Sequence, residues 1–372
     1  METPTDCGGR SARWVEVGYN PLINQYHMSA HVMKDLIYFY PENHEQHASP
    51  EHPERPERIE AICDALRVAN IWEESRLVGP AKIEEDVLGT IHSQKHVQRV
   101  AEASARGGSI DADTYVTSAS WQLALNSAGG AIAVADAVYH RQADKGFALC
   151  RPPGHHATPD RAMGFCLLNN VALAAEHILQ STEAKRIAIL DIDLHHGNGT
   201  QDIFYHRSDV FFCSIHQYPL YPMTGLVHET GAGNGEGTNL NVPFPPYAGD
   251  MARQAALTEV ILPVFEAFAP DMVLVSAGAD AHWRDPLGHQ LSTASGYGSI
   301  LAQMRDFADL HCDGRLAVLL EGGYDLQGGA SSCLAISQAL LGDAVEDTGG
   351  PSPMPEDVYW ETRLQQVLDQ WK

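Results

Sequence analysis

The sequence predicts an α/β fold in which a parallel sheet is covered by helices on both faces. Three observations point there. Short apolar runs such as residues 186–191, 272–277 and 315–320 show no polar alternation, as expected of strands buried on both faces. Segments of helix length separate them, the alternation of a βαβ chain. Polar clusters follow four of these runs, where open parallel sheets keep their sites.

Residues 1–33, with Pro4, Gly8, Gly9 and Pro21, show little periodicity and read as a poorly ordered N-terminal extension before a domain spanning 34–372. The first strand is expected in Lys34-Asp35-Leu36-Ile37-Tyr38-Phe39-Tyr40. A polar loop, 41–53, then carries His44, His47 and His52. These read as solvated histidines, with a further metal site as the rarer alternative. Residues 57–69 place Ile59, Ile62 and Leu66 on one helical face, and 87–105 and 118–140 also read as helices. Beyond them strands are expected at 146–150, 186–191, 210–215, 272–277 and 315–320. Helices are expected at 167–179, 250–268, 296–311 and 331–341. Residues 349–355 form a Pro/Gly linker to a final helix ending near Trp371.

The 372 residues carry 24 Lys+Arg against 48 Asp+Glu, a formal charge of −24, and are 44% hydrophobic. That much apolar material excludes a disordered chain. The acidic balance argues against direct nucleic-acid contact. It suits cationic partners through long-range attraction, and it serves solubility equally well. No apolar run is long enough to span a membrane, and no segment has a secretory pattern. The seven cysteines include no CxxC pair, and Cys150, Cys166 and Cys213 sit in apolar runs. A reduced, cytoplasmic protein with buried thiols is expected, and a homo-oligomer is compatible with everything above.

The four polar clusters carry the chemistry. Asp191-Ile192-Asp193-Leu194-His195 leaves an apolar strand with three ionisable side chains, costly unless a cation or hydrogen bonds compensate them. Alternate residues of an extended segment share a side, so Asp193 and His195 can grip one cation with Asp191 behind them. One capping residue at a helix start would explain a single polar group; here there are three, plus Asn198. Asp280, after the 272–277 run, offers a third ligand, although by itself it reads equally as a turn residue. One His and two carboxylates leave room for water on a tetrahedral Zn²⁺. His155-His156, after Pro152-Pro153-Gly154, can take a proton from water and give one to a departing amine. Asp191 and Asn198 would orient them differently, the aspartate raising basicity more. Tyr324, after Gly322-Gly323, can donate to a developing oxyanion; viewed alone, a packed tyrosine is the commoner reading.

The motifs RPPGHHA, GFCLLNN, DIDLHHGNGTQDIFY, SAGADAHWRDPLG and EGGY, in this order from about Leu36 to Leu341, resemble the histone deacetylase/acetylpolyamine amidohydrolase family of zinc hydrolases. Asn198 and the RPPGHHA motif look more like its class II and bacterial histone deacetylase-like amidohydrolases than like class I. The resemblance implies one arginase/deacetylase-like domain with a central parallel sheet of about eight strands. It implies Asp193, His195 and Asp280 as zinc ligands (Fe²⁺ being an alternative in the cell), His156 as general base and acid, His155 as its electrostatic partner paired to Asp191, and Tyr324 as oxyanion donor. Some class II relatives have lost that tyrosine; this chain keeps it. Gly164-Phe165 and Tyr221-Pro222 match the narrow tunnel that clasps the substrate's alkyl chain. Tyr221 stands where many relatives carry Phe. An acetyl-lysine stem would bring four methylenes there, worth roughly 0.8 kcal/mol each if fully buried. Asp113 resembles the rim aspartate, with Asp111 as a rival, and Arg58 the inner-channel arginine. A structural K⁺ is implied at Asp191, Asp193, His195, Ser214 and Ile215, mostly through carbonyls.

The activity so implied is hydrolysis of an ε-acetyl-lysine amide, in a protein or a small molecule, releasing acetate. Acetylpolyamines are the alternative substrate; Leu287, at the gatekeeper-like position, is apolar and favours acetyl-lysine. A two-manganese ureohydrolase fits less well, since Asp280-Ala281-His282 lacks the further carboxylate of a DxD pattern. A silent acetyl-lysine-binding scaffold is the non-enzymatic reading, and the complete set of His155, His156, Tyr324 and three ligands weighs against it.

Overall fold

A computed structural model describes residues 35–371; the expected 1–33 extension lies outside the described residues. Ten strands are present among the described residues: β1 Leu36–Phe39, β2 Arg76–Val78, β3 Gly108–Ser109, β4 Tyr115–Val116, β5 Lys145–Ala148, β6 Ile187–Asp191, β7 Val210–Gln217, β8 Asn239–Phe244, β9 Met272–Ala277 and β10 Leu316–Leu320. Eight form one sheet in the order β2-β1-β5-β10-β9-β6-β7-β8, and every pair in it is parallel. β3 and β4 make a separate antiparallel ribbon.

The missing polar alternation has a direct cause. Within β6, Ala188 and Leu190 join one apolar layer while Ile187 and Ile189 join the other. β10 divides in the same way, with Leu316, Val318 and Leu320 against Ala317 and Leu319. Each pleated strand turns successive side chains to opposite faces, and helices cover both. Glu57–Val68, Ala294–His311 and Leu326–Leu341 pack on the first face, Ser120–Tyr139 and Asn170–Ser181 on the second. No helix among the described residues is long and apolar enough to cross a membrane.

Four local expectations are corrected. The single helix expected at 87–105 is two, Glu85–Ile91 and Gln94–Arg106. Ser93 breaks it by accepting the N–H of His96 as an N-cap. The helix expected from 167 begins at Asn170, because Asn169 caps it through the N–H of Ala172. The helix across 250–268 contains a widened π turn, Leu257–Ile261, just before Pro263, whose ring nitrogen cannot donate to the preceding turn. His44 and His47 are not solvated: they are 2% and 1% exposed. Burial brings each ring down to about 4, so both are neutral.

The strand order matters most for function. β5, β10, β9 and β6 are consecutive in the sheet, and all run the same way. The four polar clusters that follow them therefore meet at one edge.

Candidate active site

Asp193 and His195 follow β6, and Asp280 follows β9. Their donor atoms all lie within 4.8 Å of one another, and all three residues are buried. His195 Nδ1 is 3.3 Å from Asp193 Oδ1 and 3.1 Å from Asp280 Oδ2. Main-chain amides fix the carboxylates: Leu194 N–H donates to Asp280 Oδ1 at 2.8 Å, and Gly322 N–H to Asp193 Oδ2 at 2.9 Å. Gly322 is required here, since a Cβ would stand 2.3 Å from Asp280 Oδ2. Burial by itself would lower the His195 ring, but its hydrogen bonds to Asp193 and Asp280 carry it up to about 10. Burial, followed by the charge of Asp193, pushes the Asp280 carboxyl up. Two enclosed carboxylates and an imidazole crowded to this degree call for positive charge, and their donor set fits one divalent cation.

The turn after β5 brings two imidazoles beside this cluster, with ring centroids 4.0 Å apart. His155 Nδ1–H donates to Asp191 Oδ2 at 3.0 Å, and His156 Nδ1–H to Asn198 Oδ1 at 2.8 Å. Their environments separate them. Burial opposes charge on His155, yet Asp193 and then Asp191 override it and hold this ring well above the ordinary value. Burial, reinforced by the charges of His155 and His195, holds His156 well below it. The surroundings thus favour charge on one ring and neutrality on its neighbour. A second group of candidate ligands, His155, Cys166 and Glu321, is equally close-set. There the His155 ring is committed to Asp191 and the Glu321 carboxylate to main-chain amides.

Tyr324 follows β10. Its N–H donates to Asp285 Oδ2 at 2.6 Å, and Arg58 lies 4.9 Å over its ring. Burial holds its phenol well above 10, so the hydroxyl stays a donor. Arg58 is itself clamped, donating to Gly323 O and Glu321 O, both at 2.6 Å, and to Glu54 Oε1 at 3.1 Å. With Ile62, Ala279 and Gly323 it lines a narrow crevice with essentially no room for water.

Phe165 meets Tyr324 edge-on at 5.6 Å, and Tyr221 meets His156 at 5.2 Å. Gly164 lies between these walls in the left-handed region (φ 56), and a Cβ there would strike His156 Cδ2 at 2.4 Å. At the rim, Asp111 Oδ1 accepts the N–H groups of Asp113 and Thr114, closing its own turn. Asp113 Oδ1 accepts the Thr114 hydroxyl at 3.1 Å; burial and then contact with Asp111 push its carboxyl up, opposed by hydrogen bonds from Thr114 and the Gly164 main chain. Leu287 is half-buried, its N–H on Asp285 Oδ1. Asp191 lies beside Ser214 in the β6–β7 register, Ser214 Oγ hydrogen-bonds His216, and Ile215 O accepts from Arg253 at 3.5 Å.

Four contributors escaped the sequence reading. Glu54 and Arg151 form a buried ion pair at 2.7 Å beneath the site. Asp285 holds the main chain of Tyr324, and Glu321 holds that of Gly154 and His155. All four sat inside motifs read for other residues: Glu54 in the HPERPER run that carries Arg58, Arg151 in RPPGHHA, and Asp285 and Glu321 in the two later motifs.

Residues 52–340 match the histone deacetylase domain. The chain is 41% identical over 331 residues to a protein of Archaeoglobus fulgidus named "Probable deacetylase", covering 88% of this chain and 92% of that one. It is 40% identical over 273 residues to a histone deacetylase-like amidohydrolase of Pseudomonas aeruginosa, covering 72% and 71%. A crystal structure of the HDA15 HD domain superposes with a TM-score of 0.84 at 35% identity, covering 91% of this chain and 94% of that one. With its eight-stranded parallel sheet and the convergence of its strand-end clusters, this chain belongs to the histone deacetylase family of amide hydrolases.

Proposed function

We propose that the chain is a zinc-dependent deacetylase that hydrolyses the acetyl amide of ε-acetyl-lysine, in a protein or a smaller molecule. The observation that carries this reading is the convergence of Asp193, His195 and Asp280 beside the His155–His156 pair. These three residues would hold Zn²⁺, with Fe²⁺ as the alternative. A cation bound there would acidify water and polarise the amide carbonyl.

The chain's own groups supply the remaining chemistry. His156 is neutral, and its Nδ1–H is occupied by Asn198. Its Nε2 is therefore left to take the proton of the attacking water and pass it to the departing nitrogen. The water oxygen bonds to the carbonyl carbon, the C–N bond breaks, and acetate and a free amine result. His155, kept charged by its aspartates, adds positive potential as the oxyanion develops, and the Tyr324 hydroxyl donates to that oxygen. Phe165 and Tyr221 wall the slot for the lysine stem. Asp113 is the proposed rim carboxylate for the substrate backbone, with Asp111, whose Oδ1 accepts two N–H groups of its own turn, as the rival. Potassium belongs to the same proposal, held by Asp191, Asp193, His195, Ser214 and Ile215 mostly through main-chain carbonyls. A reducing, cytoplasmic setting is supported by the six described cysteines, all free and buried.

Acetylpolyamines remain the second reading. The apolar Leu287 gives a polyamine's internal amine no counter-charge, which favours acetyl-lysine. Turnover of an acetyl-lysine peptide compared with acetylspermidine and acetylputrescine decides: the peptide is expected to be preferred, and a large preference for a polyamine overturns the acetyl-lysine reading.

A further inference from the structure

Glu321 follows the end of β10, fully enclosed. Its Oε2 accepts the N–H groups of Gly154 at 2.6 Å and His155 at 3.1 Å, and its Oε1 accepts the Ser276 hydroxyl at 3.1 Å. Its main chain is fixed at both ends: the N–H donates to Ala277 O at 3.1 Å, and the carbonyl accepts from Arg58. One side chain thereby ties the turn after β5 to the ends of β9 and β10. The turn's carbonyls are held separately: Pro152 O accepts from Ser127 Oγ at 2.8 Å and Asn170 Nδ2 at 3.1 Å, and His155 O from the Thr200 N–H at 3.2 Å. Pro152 and Pro153 lack N–H groups, and the amides of Gly154 and His155 that follow them both end on Glu321. On the opposite side it is tightly packed, since a Cβ on Gly154 would stand 2.4 Å from the Asn170 nitrogen.

We propose that Glu321 is a positioning residue for the His155–His156 pair: its carboxylate grips the two amides that precede the rings and so fixes both imidazoles against Asp191, Asn198 and the Asp193–His195–Asp280 cluster. The inference rests on the deacetylase reading. Displacing catalytic groups by about 1 Å can cost about 10²-fold in rate, so this clamp acts on turnover more than on binding.

The test uses the full chain and an acetyl-lysine peptide. In Glu321→Gln, the amide oxygen still accepts both N–H groups and the NH₂ faces Ser276 Oγ; kcat should stay within about threefold. Glu321→Ala leaves two buried amides without an acceptor; kcat should fall about 10²-fold while KM changes by less than about threefold and the metal content stays that of wild type. Equal kcat in Ala and wild type, an equal loss in Gln and Ala, or loss of bound metal with the rate in Ala overturns the clamp. If Ala fails to fold, Glu321→Asp reads the same contact with the carboxylate withdrawn by one methylene: kcat below that of Gln is expected, and equality overturns the proposal. A wild-type chain that does not turn over the peptide overturns the acetyl-lysine reading instead. The clamp then remains testable by NMR of the ¹⁵N-labelled histidine rings: His155 and His156 signals should move in Ala (or Asp) and hold in Gln, and signals unmoved by the loss of the acceptor refute it.

Discussion

Glu54→Gln should destabilise the protein severely, and the size of the effect follows from four contacts. Glu54 Oε1 meets Arg151 Nε at 2.7 Å and Arg58 Nη1 at 3.1 Å; Oε2 meets Arg151 Nη2 and the Tyr115 hydroxyl, both at 3.2 Å. Both guanidiniums are buried. The amide would leave them with no compensating charge from residue 54, a change worth about 3–5 kcal/mol. Titration gives a second route. Burial would raise the Glu54 carboxyl, but Arg151 and then Arg58 draw it from 4.5 down to about 2, which corresponds to about 3 kcal/mol. The sign follows from the depressed value: this stabilisation is complete above the unfolded value of 4.5 and is lost as pH falls towards 2. Urea unfolding of wild type and variant should therefore differ by about 3–5 kcal/mol near neutral pH, and the gap should close below the unfolded carboxyl value. A gap under about 1 kcal/mol, or one that ignores pH, would refute the claim that this carboxylate neutralises the buried pair.

His156→Ala should lose several orders of magnitude in kcat while retaining its metal by elemental analysis; an unchanged rate removes it from proton transfer. Tyr324→Phe should lose about 10²–10³ in kcat as an oxyanion donor disappears, and wild-type turnover would make it a packing residue only. Dialysis against a chelator should abolish activity and added Zn²⁺ should restore it. A hydroxamate should inhibit by binding the same cation; insensitivity to hydroxamates would count against an accessible metal centre.

Burial on both faces made much of the fold legible. β5, β6, β9 and β10 are central strands, so their apolar runs carry no alternation and stand out. β8 and β2 did not, and they are the two edges of the sheet. β8 contains Asn239, Asn241 and Pro243; both asparagines donate to Gln201 Oε1 from a distant helix, a partner that no local pattern shows. β2 is short and largely exposed. The residues forming the candidate site were readable because unusual polar types followed apolar strands and kept their order. Their supports were not. His44 and His47 are buried because Arg151, over a hundred positions away, binds both their carbonyls.

Asp193, His195 and Asp280 are expected to seat one divalent ion on which deacetylation depends. Metal content and acetate release, measured together in wild type and in Asp280→Asn, decide whether they do. One ion per chain and turnover in wild type, with both lost in the variant, is the predicted result. A metal-free wild-type chain that still releases acetate from acetyl-lysine, or an Asp280→Asn variant retaining full metal and full rate, would contradict it.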